Sequence, residues 1–183
     1  MISSATNGAF MIMMAGSPFV LMETYGLSEL GYAGSMAIVL LTFAVVAVVF
    51  GGLMVRLGVR RTMAWGIGPM LAGAVGVVLV SVLAPHLVLL LAMLTLTIAA
   101  MGLIVPAGNT AMLEPVPALA GTAVSLAQLV STLFGALALT AYGQIAAGSA
   151  VGFALSLAGL CGVAALAWSR LPHAAPLARA IAS

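Results

Sequence analysis

The chain has 183 residues, 64% of them hydrophobic and 4% charged, with five basic residues, three acidic residues and a formal net charge of +2. Water-soluble domains carry roughly 25% charged residues, so this chain could not cover a water-facing surface and is an integral membrane protein. A charge so small and so divided gives no footing for nucleic acid, and the lone cysteine, Cys161, excludes an internal disulfide.

A spanning helix needs about 20 mainly apolar residues. The chain divides into six such runs, at about 1–22, 30–53, 62–83, 87–113, 118–142 and 149–168, with a tail over 169–183. The runs are continuous, whereas barrel strands alternate over about 10 residues. The fold class expected is therefore an all-α membrane protein, six transmembrane helices in one bundle.

The first run is polar for a spanning helix, with Ser3, Ser4, Asn7 and Ser17, and Gly16-Ser17-Pro18 should bend it near its far end. It lacks a cationic start and a polar break, so it does not read as a cleaved signal peptide. Glu23 to Glu29 is the first loop, with two carboxylates and no basic residue. The second run leads into Gly51-Gly52-Leu53-Met54-Val55-Arg56-Leu57-Gly58-Val59-Arg60-Arg61, read as a loop. The third run stops at Ala84-Pro85-His86, and the fourth is interrupted by Pro106 and Asn109. Glu114-Pro115-Val116-Pro117 makes a turn before the fifth run. The sixth is followed by Arg170, His173 and Arg179.

With six spans, all five arginines fall on one side of the membrane and none on the other. The positive-inside rule makes that side cytoplasmic, which puts both termini inside and Glu23, Glu29 and His86 outside.

On the fifth run Gly121, Ser125, Gln128, Thr132 and Gly135 fall on one stripe at 3.6 residues per turn. A glutamine at that depth must find partners in a neighbouring helix or in water, since lipid offers none. Two readings stand: a helix–helix hydrogen bond, worth about 0.6 kcal/mol on average, or the wall of a polar cavity. Ser3, Asn7, Met11, Met14 and Pro18 share a face of the first run in the same way, and methionine suits a surface that accepts varied apolar ligands. Met93, Thr97 and Met101 suggest a third face on the fourth. The candidate cavity residues are thus Asn7, Met11, Met14, Ser125, Gln128 and Thr132.

No Asp, Glu, Lys, Arg or His lies at mid-membrane depth, where proton and ion carriers are usually found. His86 and His173 fall on opposite sides and cannot share a metal or act as one base. With no convergent nucleophile, base or ligand set, neither an enzyme nor a metal or cofactor site is expected.

Gly51-x-Leu53-x-Val55-Arg56-x-Gly58-Val59-Arg60-Arg61 resembles the loop pattern G-x-L-x-D-R-x-G-R-R that joins the second and third helices of a six-helix half in the major facilitator superfamily. Val55 stands where the pattern has aspartate, and a degraded copy resembles the C-terminal half. Gly16-Ser17-Pro18-Phe19-Val20-Leu21 with Tyr25-Gly26-Leu27-Ser28 looks like the seventh helix and following loop of Bcr/CflA-type drug-resistance transporters. Glu114-Pro115-Val116-Pro117 with Ala120-Gly121-Thr122-Ala123 looks like their tenth-to-eleventh junction.

This resemblance implies multidrug efflux of small amphipathic molecules by proton antiport across a bacterial-type inner membrane. The first, second, fourth and fifth helices would face the cavity, and Gly51, Arg56, Gly58, Arg60 and Arg61 would form a cytoplasmic gating or orientation motif. Such a half needs an N-terminal bundle or a second copy, because alternating access moves two bundles around one site. The alternative is a truncated, non-transporting membrane protein that is inert or binds a partner.

Overall fold

A computed structural model describes residues 2–83, 86–113, 120–145 and 149–170. Six helices run in order: α1 (Ile2–Pro18, continued by a π-helix, Phe19–Thr24), α2 (Glu29–Leu57), α3 (Val59–Leu83), α4 (Leu87–Leu113), α5 (Ala120–Ile145) and α6 (Ala150–Ser169). Each is long and apolar enough to cross a membrane. The junction expected at Glu114–Pro117, and tail residues His173 and Arg179, lie outside the described residues.

Where the sequence reading places a bend, at Gly16-Ser17-Pro18, the chain stays helical and passes through Pro18 into the π-helix. Tyr25 N–H donates to the Val20 carbonyl at 3.3 Å and Leu27 N–H to the Leu21 carbonyl at 3.1 Å. Gly26, at φ +67°, then turns the chain away in a left-handed conformation that suits glycine. Pro106 does not interrupt α4, which stays helical to Leu113. Neighbouring helices let prolines persist inside spanning helices. The arginine stretch is two helix ends rather than a loop. Arg56 lies in the last turn of α2, Arg60 and Arg61 in the first turn of α3, and Gly58 alone, at φ +78°, separates them.

The contacts fix the directions. Ser17 of α1 meets Tyr32 of α2, and Phe10 meets Phe43, so these two helices are antiparallel. Gly66, Gly73 and Gly76 of α3 lie against Ile104, Thr97 and Met93 of α4, also antiparallel. Gly8 and Gly16 of α1 face Leu160 and Phe153 of α6 in opposite order. By contrast, α1 and α5 are parallel, with Ser4 on Ser131 and Gly135 on Met11. The starts of α1, α3 and α5 and the ends of α2, α4 and α6 therefore share one end, which carries Arg56, Arg60, Arg61 and Arg170. Glu23 and Glu29 lie at the other.

The polar character of α1 follows from its position. It packs on both α5 and α6 and touches α4, and Ser4, Thr6 and Ser17 are buried. Ser4 shares a hydrogen bond with Ser131 at 3.2 Å, and Ser17 one with Tyr32 at 3.1 Å. A helix screened from lipid keeps such hydroxyls because its neighbours answer them. α2 and α5 are the least enclosed helices.

Lipid tails are as apolar as leucine, so close packing rather than hydrophobic drive joins the helices. The α3–α4 seam shows how close. A Cβ on Gly73 would lie 2.8 Å from the Thr97 amide nitrogen and 2.9 Å from the Met93 carbonyl oxygen, both backbone atoms that cannot swing aside. Gly73→Ala is expected to cost about 1–3 kcal/mol through overpacking, read as a lower thermal midpoint in detergent. Gly68→Ala, whose methyl would meet nothing within 4 Å, should not lower it. Equal midpoints for both variants would contradict the seam.

Candidate functional site

Four helices that do not close completely on one another leave a cavity of about 300 Å³. From α1 come Thr6, Asn7 and Phe10, and from α5 Val124, Ala127, Gln128 and Ser131. Met101 and Val105 come from α4, and Phe43 from α2. Spacings of three and four residues bring each set onto one helix face. The residues fall in the first half of α1 and α5 and the second half of α4, so the cavity sits toward the arginine end.

The walls differ. All four polar side chains, Thr6, Asn7, Gln128 and Ser131, come from α1 and α5, while α2 and α4 contribute only Phe43, Met101 and Val105. Phe10 and Phe43 form a tilted ring pair with centroids 6.2 Å apart. Ser131 is held by Ser4, and the Asn7 Nδ2 is buried with no hydrogen-bond partner. A buried amide donor left unpaired costs about 1–3 kcal/mol. No charged side chain lines the cavity among the described residues. Its chemistry is that of an amphipathic pocket: one face offers neutral hydrogen-bonding groups, the other aromatic and thioether surface. The size sits at the lower end of small-molecule pockets, about 300–1,000 Å³.

Of the six residues expected to line a cavity, Asn7 and Gln128 are in its walls. Met11 is wedged between α1 and α5, its sulfur beside Gly135, and Met14 packs half-buried against the core. Ser125 is exposed, and its hydroxyl donates to the Gly121 carbonyl of its own helix at 2.9 Å. Thr132 is exposed as well. The packed face of α5 runs through Val124, Ala127, Ser131 and Gly135, one position round from the polar stripe, because it is set by where α1 crosses. The third face divides: Met93 and Thr97 belong to the α3–α4 seam, and only Met101 reaches the cavity. Thr6, Phe10, Phe43, Val105, Val124, Ala127 and Ser131 complete the lining and are not singled out by the sequence pattern. The near-repeat of hydroxyls at Ser131 and Thr132 was the one available signal.

The arginine junction is built on Gly58, whose carbonyl accepts from both the Thr62 N–H, at 3.2 Å, and the Thr62 hydroxyl, at 3.1 Å. A side chain at φ +78° would be strained, so the reversal between α2 and α3 requires glycine there. Arg61 is exposed at the start of α3, and Gly51 is half-buried on α2.

Water in the cavity is directly testable through thiol chemistry, because the thiolate is the reactive form and hydrocarbon suppresses it. In a Cys161→Ala background, which removes the lone cysteine, Gln128→Cys is expected to react with a water-soluble maleimide. Leu157→Cys, at a fully buried position, should stay unreacted. Equal labelling of the two would contradict the cavity.

A profile of the Major Facilitator Superfamily matches residues 1–139. No curated protein matches the chain, and no solved structure does. The match covers the α1–α5 region that builds the cavity and the arginine junction, and members of this family are membrane transporters rather than enzymes. The chain belongs to the Major Facilitator Superfamily.

Proposed function

We propose that this chain is the C-terminal six-helix half of a proton-coupled exporter of small amphipathic, drug-like molecules, of the Bcr/CflA type. The cavity between α1, α2, α4 and α5 is its share of the substrate site. The observation that carries this reading is the split of the cavity into a neutral polar wall and an aromatic wall. Such a pocket suits uncharged or amphipathic ligands and carries no fixed charge to select an ion. The orientation we infer has both termini on the cytoplasmic side of a bacterial-type inner membrane, because the four arginines among the described residues, Arg56, Arg60, Arg61 and Arg170, fall at one end.

Two further parts of the reading concern what lies beyond the bundle. Asn7 and Gln128 are the residues we assign to the substrate. Met11, Met14, Ser125 and Thr132 support or flank them, and Gly51, Arg56, Gly58, Arg60 and Arg61 form the cytoplasmic hinge. Proton coupling needs an ionisable group, and none lines this cavity among the described residues, so the carrier is assigned to the second bundle. α2 and α5, the least enclosed helices, are where an N-terminal bundle or a second copy would sit. Val55 in place of an aspartate removes the acid that would hold an arginine at the hinge, which makes the hinge an orientation anchor more than a latch.

The test is efflux of a fluorescent amphipathic dye from an efflux-deficient cell. Expressed alone and monomeric, the chain is expected to export nothing. Together with an N-terminal bundle it should lower dye retention, and Gln128→Leu should alter which dyes are exported at unchanged expression. Export by the monomeric chain alone would overturn the need for a second bundle. Loss of folded protein in Gln128→Leu would show that this glutamine serves packing.

A further inference from the structure

The two helices that contribute nothing to the cavity lining, α3 and α6, carry a second pattern. On α3 the exposed positions Arg61, Ala64, Trp65, Gly68, Ala72, Val75 and Leu79 form one stripe, at the three- and four-residue spacing of a single helix face. On α6 the exposed positions Leu155, Gly159, Val163, Leu166 and Arg170 do the same. The two helices pack against each other. α3 starts and α6 ends at the arginine end of the bundle, so each apolar stripe terminates in an arginine at the same end of two helices that pack together. Trp65, 68% exposed, stands one turn above Arg61 on the lipid-facing side.

The chemistry of each part converges on one kind of partner. An exposed indole one turn inside a terminal arginine matches the headgroup layer, where its ring has an apolar body and its N–H a polar outlet. Packed helix axes lie about 8–10 Å apart, which lets two long guanidinium arms reach toward one phosphate group and hold it by bidentate hydrogen bonds. Glu23 and Glu29 are at the opposite end and cannot neutralise the pair; the third acid, Glu114, lies outside the described residues. We propose that the arginine end of the α3–α6 face is a binding site for the headgroup of an anionic phospholipid, with Arg61 and Arg170 on the phosphate and Trp65 along the glycerol and upper acyl chain.

This site is separate from the cavity and stands whether or not the chain transports. It gives Arg61 and Arg170 a role beyond setting topology: the lipid would brace α3 against α6 on the side away from the moving partner.

Tryptophan quenching reads the site directly. The chain has two tryptophans, and Trp168 packs against the core, so Trp168→Phe leaves Trp65 as the reporter. In that background, reconstituted full-length chain is expected to bind brominated phosphatidylglycerol more tightly than brominated phosphatidylcholine. The preference should fall by about fivefold for each arginine lost in Arg61→Gln and Arg170→Gln. Quenching by brominated phosphatidylcholine should stay unchanged in both variants, which shows that Trp65 still faces lipid. The proposal is overturned if phosphatidylglycerol shows no preference, or if the preference survives in the double variant. Displacement by inorganic phosphate at constant ionic strength would also overturn it, since it would identify a soluble anion as the ligand. Resistance to that competition supports the lipid.

Discussion

Hydrocarbon offers no hydrogen-bond partner and no hydrophobic drive between helices, so everything in this bundle depends on how near its backbones can approach. That approach is set by glycine at the crossings. Gly73 and Gly76 bring α3 onto α4, Gly8 and Gly16 bring α1 onto α6, Gly135 receives Met11, and Gly102 lies under the Phe43 carbonyl of α2. A methyl added at Gly73 would meet backbone atoms of α4 that cannot swing aside, whereas at Gly76 and Gly135 it would meet the flexible side chains of Met93 and Met11. The gain from closeness is dispersion summed over many contacts, each only about 0.1–0.2 kcal/mol.

The same constraint decides where polar atoms go. Most hydroxyls on lipid-facing or half-buried positions turn back to a carbonyl of their own helix, as in Thr42, Ser81, Thr95 and Thr140. Such a residue needs no neighbour and marks no site. Two hydroxyl pairs bond across helices, Ser4 with Ser131 and Ser17 with Tyr32, and each has one partner on α1. Screened from lipid by α5 and α6, α1 gathers the polar groups that would be costly elsewhere, and the cavity opens where those groups meet α5.

This explains what could be read in advance and what could not. Six apolar runs and the one-sided arginines were legible because length, hydropathy and charge are properties of the chain itself. Pro106 was misleading because a proline's effect on a spanning helix depends on neighbours, and those are tertiary. Asn7 and Gln128 were legible as mid-membrane amides that need company. Ser131 was not, because choosing between it and Thr132 requires knowing where α1 crosses α5, a rotation of one residue. Phe43 gave no signal at all, since an aromatic in an apolar helix looks the same facing lipid or a pocket. Gly58 was read as part of a loop, yet its left-handed backbone lets α2 and α3 meet with a single residue between them.

The central claim is that the space between α1, α2, α4 and α5 receives a small amphipathic molecule. Saturation-transfer NMR on the chain in nanodiscs tests it, with acetophenone as a neutral ring bearing one polar group and with empty discs as the blank. Ala127 lies in the cavity wall, so Ala127→Trp would fill it while leaving the glycine seams untouched. Transfer well above the blank for the unmodified chain, reduced to the blank in Ala127→Trp at unchanged helicity, is the predicted result. Equal transfer to both proteins would contradict the account.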